Sequence, residues 1–311
     1  MKLEEILKNY TKEELQTSLT YLGLFFNEQD DEKALQNMIK SYLLDSDNVR
    51  KIFEIIPTYS FEKIFKEGKY EASFNEDIRF YNEIRVYSLG FGDSKKVELP
   101  LELIEAAKAQ NLNQLLKDRE KQLWVYSCVN FANTFYGIYN FDVLEKLIIQ
   151  NTRIHLSKTE LKTRFLDLPQ SVACEYFDQA NMIVNRTYGD QIKDILDKQG
   201  NKPFYIPSYK EINEFFLNGY INNVYYDLAE SYKAYLNDGL GLEYKILMFN
   251  QLATNYDNLD ELFRGFYNNT KFETISLEKE CKNNFINMAL TTRNLYNRGF
   301  SSNDLRNLKR Q

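Results

Sequence analysis

The sequence is poor in the residues that most often hold metals or transfer protons. Its 311 residues include one histidine and three cysteines. Because Cys128, Cys174 and Cys281 are widely spaced and odd in number, they indicate neither a disulfide framework nor a CxxC metal site. We therefore expect buried thiols in a reducing compartment, with no bound metal and no other cofactor.

Proline and glycine are also scarce, with five and twelve residues respectively. A chain with so few forced breaks and many Lys, Glu, Asn and Leu residues favours helices. Hydrophobic residues make up 43% of the sequence, and 23 tyrosines and 22 phenylalanines predict an aromatic-rich interior. At this length we expect the chain to fold into two or three packed units.

Long apolar runs are missing as well, since none approaches the length needed to cross a bilayer. Residues 1–5 have the pattern of an acidic helix start without the apolar core of a secretory signal. These features predict a soluble, cytoplasmic protein without membrane association. The formal net charge of −6 argues against a uniformly basic protein that coats nucleic acid, and leaves a local basic patch open.

The first 45 residues predict a helix, an extended loop and a further helix. Thr11 and Glu14 form a capping box, and the acidic residues 30–32 favour the next helix start. This order resembles the N-terminal module of the Rho termination factor, a SAP-like fold. The resemblance implies the fold without the nucleic-acid function, because residues 27–32 are mostly acidic and would repel phosphates.

Twice the chain passes from amphipathic helices to a β-rich stretch with a tight turn. The first hairpin candidate pairs residues 84–89 with 97–99, and the second spans 176–184 and is completed by 204–206. We predict a mainly α fold with small β-hairpins (α+β), in which two tandem winged-helix-like units precede a C-terminal helical bundle. The predicted domains are a SAP/Rho-N-like and winged-helix-like unit, a second winged-helix-like unit and the bundle, at residues 1–105, 106–207 and 208–311.

The segment Thr292-Arg293-Asn294-Leu295-Tyr296-Asn297-Arg298-Gly299 resembles part of a motif close to NNTRLWxNRGHTPxEL. That motif belongs to an uncharacterised family of proteins from low-GC Gram-positive bacteria and their mobile elements. Three shorter segments resemble the same family in the same order: Leu99-Pro100-Leu101-Glu102-Leu103, Tyr136-Gly137 and Tyr205-Ile206-Pro207.

The resemblance implies architecture rather than activity. Phe300-Ser301-Ser302 replaces the family's His-Thr-Pro, which removes the one titratable side chain of the motif. Members often carry a zinc-binding SEC-C motif, and this sequence has no Cys-rich segment of that kind, so zinc is not carried over. We expect structural roles for the motif residues Arg293, Asn297, Arg298 and Gly299. Gly299 should adopt the left-handed conformation at a helix end, and Arg293 should bind carboxylates of the bundle.

The sequence predicts no catalytic residues. His155 stands just before a helix, with no acid and nucleophile arranged nearby, so a surface or capping role is expected. The Gly239-Leu240-Gly241 and Gly90-Phe91-Gly92 segments lack the Lys-Ser or Lys-Thr of a phosphate-binding loop and are expected to form turns.

One basic cluster carries a functional alternative. It comprises Arg153, Lys158, Lys162 and Arg164, on and before the helix predicted at residues 157–166. Lys158 and Lys162 are four residues apart and share a helix face, which suits phosphate or groove contacts. The same pattern is typical of a solvated helix face. A second basic group consists of Arg298, Arg306, Lys309 and Arg310.

Three functions remain open at this point. The first is a non-catalytic interaction or regulatory protein that binds a protein partner through winged-helix-like and helical surfaces. The second is a DNA-binding regulator that uses the helix at residues 157–166, for which a basic face is required. The third is an enzyme of mobile-element or phage–host conflict.

Overall fold

The computed structural model describes residues 2–56, 61–62, 71–73, 96–98, 100–169, 172, 174–219, 221, 249, 252–255, 258–266 and 274–308. In this part of the chain most residues are helical, and the strands are short and antiparallel. The mainly α composition with small β-hairpins that the sequence predicts is therefore confirmed. None of the helices in these ranges combines the length and the apolar character needed to span a bilayer.

Eighteen helices and strands have bounds that the structure describes, and three short 3-10 helices lie between them. Up to the middle of the chain they are α1 (Leu3–Leu7), α2 (Lys12–Tyr21), α3 (Glu32–Leu44), α4 (Ser46–Ile55), β1 (Glu71–Ser73), β2 (Lys96–Glu98), α5 (Leu101–Lys108), α6 (Leu112–Phe135), β3 (Ile138–Asn140) and α7 (Phe141–Ile148). The rest are α8 (Lys158–Leu166), β4 (Cys174–Phe177), β5 (Met182–Asn185), α9 (Ile192–Gln199), α10 (Tyr209–Asn218), α11 (Leu259–Phe266), α12 (Ile275–Thr291) and α13 (Ser302–Leu308).

Contacts group the chain into two compact units. The first unit contains Met1–Ser127 and Thr152–Ala173, and the second contains Cys128–Asn151 and Cys174–Gln311. Helix α6 begins in the first unit and ends in the second. This division differs from the predicted segments, because α8 packs within the first unit, whereas β3 and α7 belong to the second.

The first unit has an aliphatic core built by its amphipathic helices. Fully buried members include Leu3, Leu15, Leu35, Ile39 and Leu103. The predicted capping box is present, since Thr11 Oγ1 accepts a hydrogen bond from Glu14 N at 3.3 Å and Glu14 Oε2 accepts one from Thr11 N at 2.8 Å. The predicted helix–loop–helix is thus confirmed, while its likeness to the Rho module stays a prediction.

The strands of the first unit pair at long range. Glu71–Ser73 pairs antiparallel with Lys96–Glu98, with Ala72 opposite Val97. Strand β2 overlaps the predicted arm at 97–99. The other predicted arm, 84–89, and the turn between the two arms lie outside the described residues.

The second unit contains a three-stranded antiparallel sheet in the order β3-β5-β4. The predicted β-rich stretch at 176–184 forms the β4–β5 hairpin, whose connection ends at Asn181 in the left-handed conformation with φ 49°. The prediction that residues 204–206 complete this sheet is wrong. Strand β3 fills that place, with Ile138 opposite Val184, while Tyr205 N donates to Arg298 O at 3.0 Å.

The C-terminal part of the second unit is helical where it is described. The apolar periodicity of the sequence predicts five helices in this part, over 209–216, 225–236, 243–254, 259–267 and 276–296. The first and the fourth correspond to α10 and α11. The helix predicted over 276–296 ends at Thr291, and Leu295–Asn297 forms a separate 3-10 helix. The helix predicted over 225–236 lies outside the described residues, and of that predicted over 243–254 only 249 and 252–254 are described.

Candidate functional site

Helix α8 carries the basic cluster predicted from the sequence. Ser157 caps the helix, since its Oγ accepts a hydrogen bond from Glu160 N at 3.1 Å. Leu161 and Phe165 are buried, so the polar residues of the helix lie on its remaining faces. The spacing of Ser157 and Glu160 in the sequence predicts a capping box, in which the Glu160 carboxylate accepts from Ser157 N, and this second bond is not formed. The carboxylate pairs instead with Lys121 Nζ at 2.8 Å.

Arg164 is bound inside the first unit. Its Nη2 lies 3.2 Å from Asp118 Oδ1 and its Nε lies 3.3 Å from Glu160 Oε1. Gln122 Nε2 donates to the Arg164 carbonyl at 2.9 Å, so side chain and backbone both contact α6. With 15% of the side chain exposed, Arg164 attaches α8 to α6 and has two carboxylate partners already.

The carboxylates that receive these cations are held in their charged forms. The hydrogen bond from Lys121 is the main cause of the lowered pKa of Glu160. Burial raises the pKa of Asp118, but hydrogen bonds from Gln114 and Arg164 outweigh it, so that the net pKa lies below the ordinary value. Both carboxylates are therefore ionised at neutral pH and neutralise neighbouring cations.

The other members of the basic cluster have different surroundings. Arg153 and Lys158 are exposed, and Lys162 is half-buried. His155 is exposed beside them, at the surface position that the sequence predicts. Exposure therefore differs within the cluster, from the largely buried Arg164 to the exposed Arg153 and Lys158. Of the second basic group, Arg306 is exposed, and positions 309 and 310 lie outside the described residues.

Arg293, from the family-like motif, is the centre of a polar cluster in the second unit. Its Nη2 lies 2.8 Å from Glu211 Oε1, and its Nη1 pairs with Asp304. The guanidinium carbon lies 3.7 Å from the centroid of the Tyr205 ring. Because only 15% of the side chain is exposed, these partners offset the cost of removing the charge from water.

The Glu211 carboxylate accepts hydrogen bonds from three residues. It accepts from Tyr205 Oη at 2.8 Å, from Ser208 N at 2.9 Å and from Arg293. Ser208 and Glu211 also form the capping box that starts α10. Burial raises the pKa of the Glu211 carboxyl, but these hydrogen bonds outweigh it and lower the pKa below the ordinary value. Burial, with the bond to Glu211, raises the pKa of Tyr205.

The remaining motif residues contact the segment around Tyr205. Arg298 adopts φ 50°, its guanidinium lies 4.7 Å from the centroid of the Phe204 ring, and its Nη1 donates to Lys202 O. Gly299 adopts φ 83°, as the left-handed position predicts. A Cβ there would lie 2.5 Å from Tyr136 Cε1. Asn297 O accepts from Phe300 N at 3.1 Å in the same turn.

A buried glutamine joins two of the family-like segments. Gln199 is fully buried, and its Nε2 donates to Tyr136 O at 2.7 Å and to Leu295 O at 2.9 Å. Tyr136 Oη in turn donates to Tyr205 O. The three segments that resemble the family motif in this unit are therefore bonded to one another, and sequence reasoning did not identify Gln199 or Glu211 as their partners.

A further buried cation of the first unit was not found from the sequence. Arg119 donates to Glu54 O at 3.0 Å and to Phe53 O at 3.3 Å, and its guanidinium lies 4.4 Å from the Phe61 ring centroid. It thus binds the last carbonyls of α4. Burial lowers the pKa of Arg119 to about 10.

Cys128 and Cys281 are buried, and Cys174 is partly exposed. Burial raises the pKa of the Cys128 thiol well above its ordinary value and that of Cys174 to about 11. A thiol acts as a nucleophile or a metal ligand only as the thiolate, so both remain protonated at neutral pH. In the ranges that the structure describes, no group of three or more His, Cys, Asp and Glu side chains is placed to hold a metal ion.

One surface feature also escaped sequence reasoning. Phe25, in the loop between α2 and α3, is 97% exposed. Leu24 and Phe26 on either side pack against the core of the first unit. In the sequence Leu24, Phe25 and Phe26 form one apolar run, and this pattern does not indicate that Phe25 faces solvent.

Comparison of the chain with protein-family models, with curated proteins and with solved structures finds no match. The resemblance to the Gram-positive family and to the Rho module therefore remains a prediction from the motifs quoted above.

Proposed function

We propose that this chain is a non-catalytic interaction or regulatory protein that binds a protein partner through winged-helix-like and helical surfaces. The proposal is supported by the order of elements along residues 112–185 and by the strand order of the sheet in the second unit. Along the chain the elements are α6, β3, α7, α8, β4 and β5, and the sheet order is β3-β5-β4. The winged-helix arrangement has the same succession, with its first strand beside the last strand of the hairpin. Domains of this type act by presenting surfaces to other macromolecules.

The charges of this region favour a protein partner over nucleic acid. Helix α8 holds the place in the succession that the recognition helix takes in DNA-binding relatives of this arrangement. Arg164 on that helix is bound to Asp118 and Glu160, and the second of these also binds Lys121. Binding to a phosphate backbone requires cations that can replace counterions. Because the net charge is −6 and Arg164 is already paired with carboxylates of this chain, a protein partner is favoured over nucleic acid.

The state of the ionisable groups supports a non-catalytic role. The Cys128 and Cys174 thiols have raised pKa values and stay protonated. Glu211 has a lowered pKa and its oxygens already accept from Tyr205, Ser208 and Arg293. A general acid or base needs a pKa near the working pH and an open position for substrate. These groups are arranged to hold the fold.

The proposal is tested by purification of the tagged full chain from the cell it comes from. We expect a protein that stays bound after nuclease treatment and that forms the same complex when the two purified proteins are mixed. An unrelated protein with the same tag is the control. A chain that elutes alone at every stage, with no partner that can be reconstituted, would count against protein binding.

A DNA-binding regulator is the second candidate, favoured by the exposure of Arg153 and Lys158 at the start of α8. It predicts salt-sensitive duplex binding that Lys158→Glu with Lys162→Glu abolishes. The control is Lys146→Glu with Lys193→Glu, which makes the same charge change at exposed lysines of the second unit. Unchanged mobility of a duplex library at low salt would exclude this candidate.

A further inference from the structure

The loop between α2 and α3 presents one aromatic side chain to solvent. Phe25 is 97% exposed, more than any other large hydrophobic residue that the structure describes. A phenylalanine that becomes fully buried removes about 150–250 Å² from water, so this exposure leaves a large apolar area without cover. An isolated exposed side chain is ordinary on a protein surface, so the inference depends on how the loop holds this one.

The loop is fixed on both sides of Phe25. Leu24 N donates to Leu19 O at 2.9 Å, which continues the end of α2. On the other side Asn27 N donates to Asp30 Oδ2 at 2.9 Å, and Asp30 N returns a bond to Asn27 O at 2.9 Å. With Leu24 and Phe26 packed on the core, the backbone of Phe25 is held in place.

A side chain presented in this way is suited to binding. Anchor residues of protein interfaces are often aromatic and enter pockets on the partner. An anchor on a rigid loop loses little conformational entropy on binding, which raises affinity. The position of Phe25 therefore has the properties of an interface anchor.

The surroundings of Phe25 are acidic. The loop and the start of α3 contain Glu28, Asp30, Asp31 and Glu32, of which all but Asp30 are exposed. Lys12 Nζ, the nearby cation on α2, donates to the Glu28 carbonyl at 2.8 Å, and Lys33 follows the acidic run. The net negative charge of this segment disfavours phosphates and anionic lipid headgroups and favours lysine and arginine on a partner.

We propose that residues 24–32, which we name the Phe25 loop, dock onto a protein surface that has an apolar pocket bordered by Lys and Arg. Phe25 fills the pocket, and Glu28 and Glu32 face the basic border. This inference rests on the proposed protein-binding function and specifies one surface and the chemistry of its partner.

The test is site-specific photocrosslinking of the full chain in the cell it comes from, with Phe25→p-benzoylphenylalanine as the probe. We expect one crosslinked protein, and mass spectrometry should place the crosslink in an apolar segment flanked by Lys or Arg. Ile149→p-benzoylphenylalanine is the matched control, because Ile149 is an apolar residue of the second unit with 67% exposure.

Affinity measurements with the purified partner complete the test. Phe25→Ser should weaken binding by about tenfold or more, as loss of an anchor does. Glu28→Gln with Glu32→Gln should weaken it less and reduce its salt dependence. Ile149→Ser should leave it unchanged. Since Phe25 lies outside the core, Phe25→Ser should keep the thermal midpoint of the parent, which separates binding from folding.

The possible failures are distinguishable. Crosslinks from Ile149 but none from Phe25, or full affinity in the Phe25→Ser variant, would overturn the Phe25 inference while protein binding stands. A crosslink from Phe25 to an acidic protein segment, to nucleic acid or to lipid would also overturn it. No protein crosslink from either position, together with no partner in the purification experiment, would overturn both proposals.

Discussion

Arg293 and Tyr205 stack within the second unit, with the guanidinium carbon 3.7 Å from the ring centroid. They are far apart in sequence, and Glu211 connects them, since it accepts from the Tyr205 hydroxyl and from the Arg293 guanidinium. This contact joins the motif near the end of the described chain to the segment that starts α10. Through these contacts both segments take part in the packing of the second unit.

Removal of the Arg293 charge should destabilise the second unit strongly. Arg293→Met leaves the partly buried Glu211 carboxylate with one fewer donor, and loss of such a partner costs about 1–3 kcal/mol. Arg293→Lys keeps the charge but loses the planar stack and should cost less. Urea unfolding measures the free energy of unfolding of both variants. Arg306→Met, at an exposed position of α13, is the control and should change the unfolding free energy by less than about 0.5 kcal/mol.

Gly299→Ala should destabilise the protein more than Gly200→Ala. Both glycines have positive φ, 83° and 53°, so both substitutions strain the backbone. Only Gly299 adds a clash, because its Cβ would lie 2.5 Å from Tyr136 Cε1, whereas nothing lies within 4 Å at Gly200. Because of this overpacking, the free energy of unfolding should fall by about 1–3 kcal/mol more in Gly299→Ala than in Gly200→Ala. Equal thermal midpoints for the two variants would contradict the contact.

Acid should weaken the fold through Glu211. Its folded-state pKa is lowered, so its contribution to stability is complete above the unfolded pKa, about 4.3, and is lost as the pH falls through the folded value. The free energy of unfolding should therefore decrease below about pH 4. Glu211→Gln should flatten this decrease, whereas Glu214→Gln on the same helix should not, since burial raises the pKa of Glu214. A Glu211→Gln profile parallel to that of the parent would refute the assignment.

The Cys128 and Cys174 thiols should react slowly in the native protein. At pH 7 a thiol-specific disulfide reagent should modify Cys128 far more slowly than a free cysteine, because burial raises its pKa and blocks access. Cys174 is partly exposed, and its raised pKa should slow its modification because the thiol stays protonated. The reagent should react fully after denaturation. Rapid modification of either residue in the folded chain, located by peptide mass mapping, would contradict the described environment.

The attachment of α8 to α6 should appear as coupling between Arg164 and Asp118. Their charged atoms lie 3.2 Å apart, with the arginine largely buried and the aspartate partly exposed. A double-mutant cycle with Arg164→Met and Asp118→Asn should give a coupling of about 0.5–1 kcal/mol. Lys33→Met, at an exposed lysine of α3, with Asp118→Asn is the control pair and should be additive.

Local signals in the sequence were sufficient to predict much of the helical structure. The Thr11/Glu14 capping box and the Ser157 cap are bonds between residues three apart, so spacing alone identifies them. The position of Gly299 followed in the same way from the need for a left-handed residue after a helix end.

Contacts between distant segments could not be predicted in this way. Strand β3 has only three residues, lies between two helices and pairs with β5 more than forty positions later, so no hairpin pattern marks it. In the sequence Glu211 is only a polar residue of the helix predicted at 209–216, and its bond to Arg293 spans 82 positions. The exposure of Phe25 depends on how Leu24 and Phe26 pack, which the apolar run does not specify.

Protein binding, the central claim, is tested most directly by sedimentation velocity of the fluorescently labelled full chain in an extract of the cell it comes from. We predict a boundary that sediments faster than the purified chain and that nuclease treatment leaves unchanged. A boundary at the value of the purified chain, or a faster one that nuclease removes, would contradict the claim.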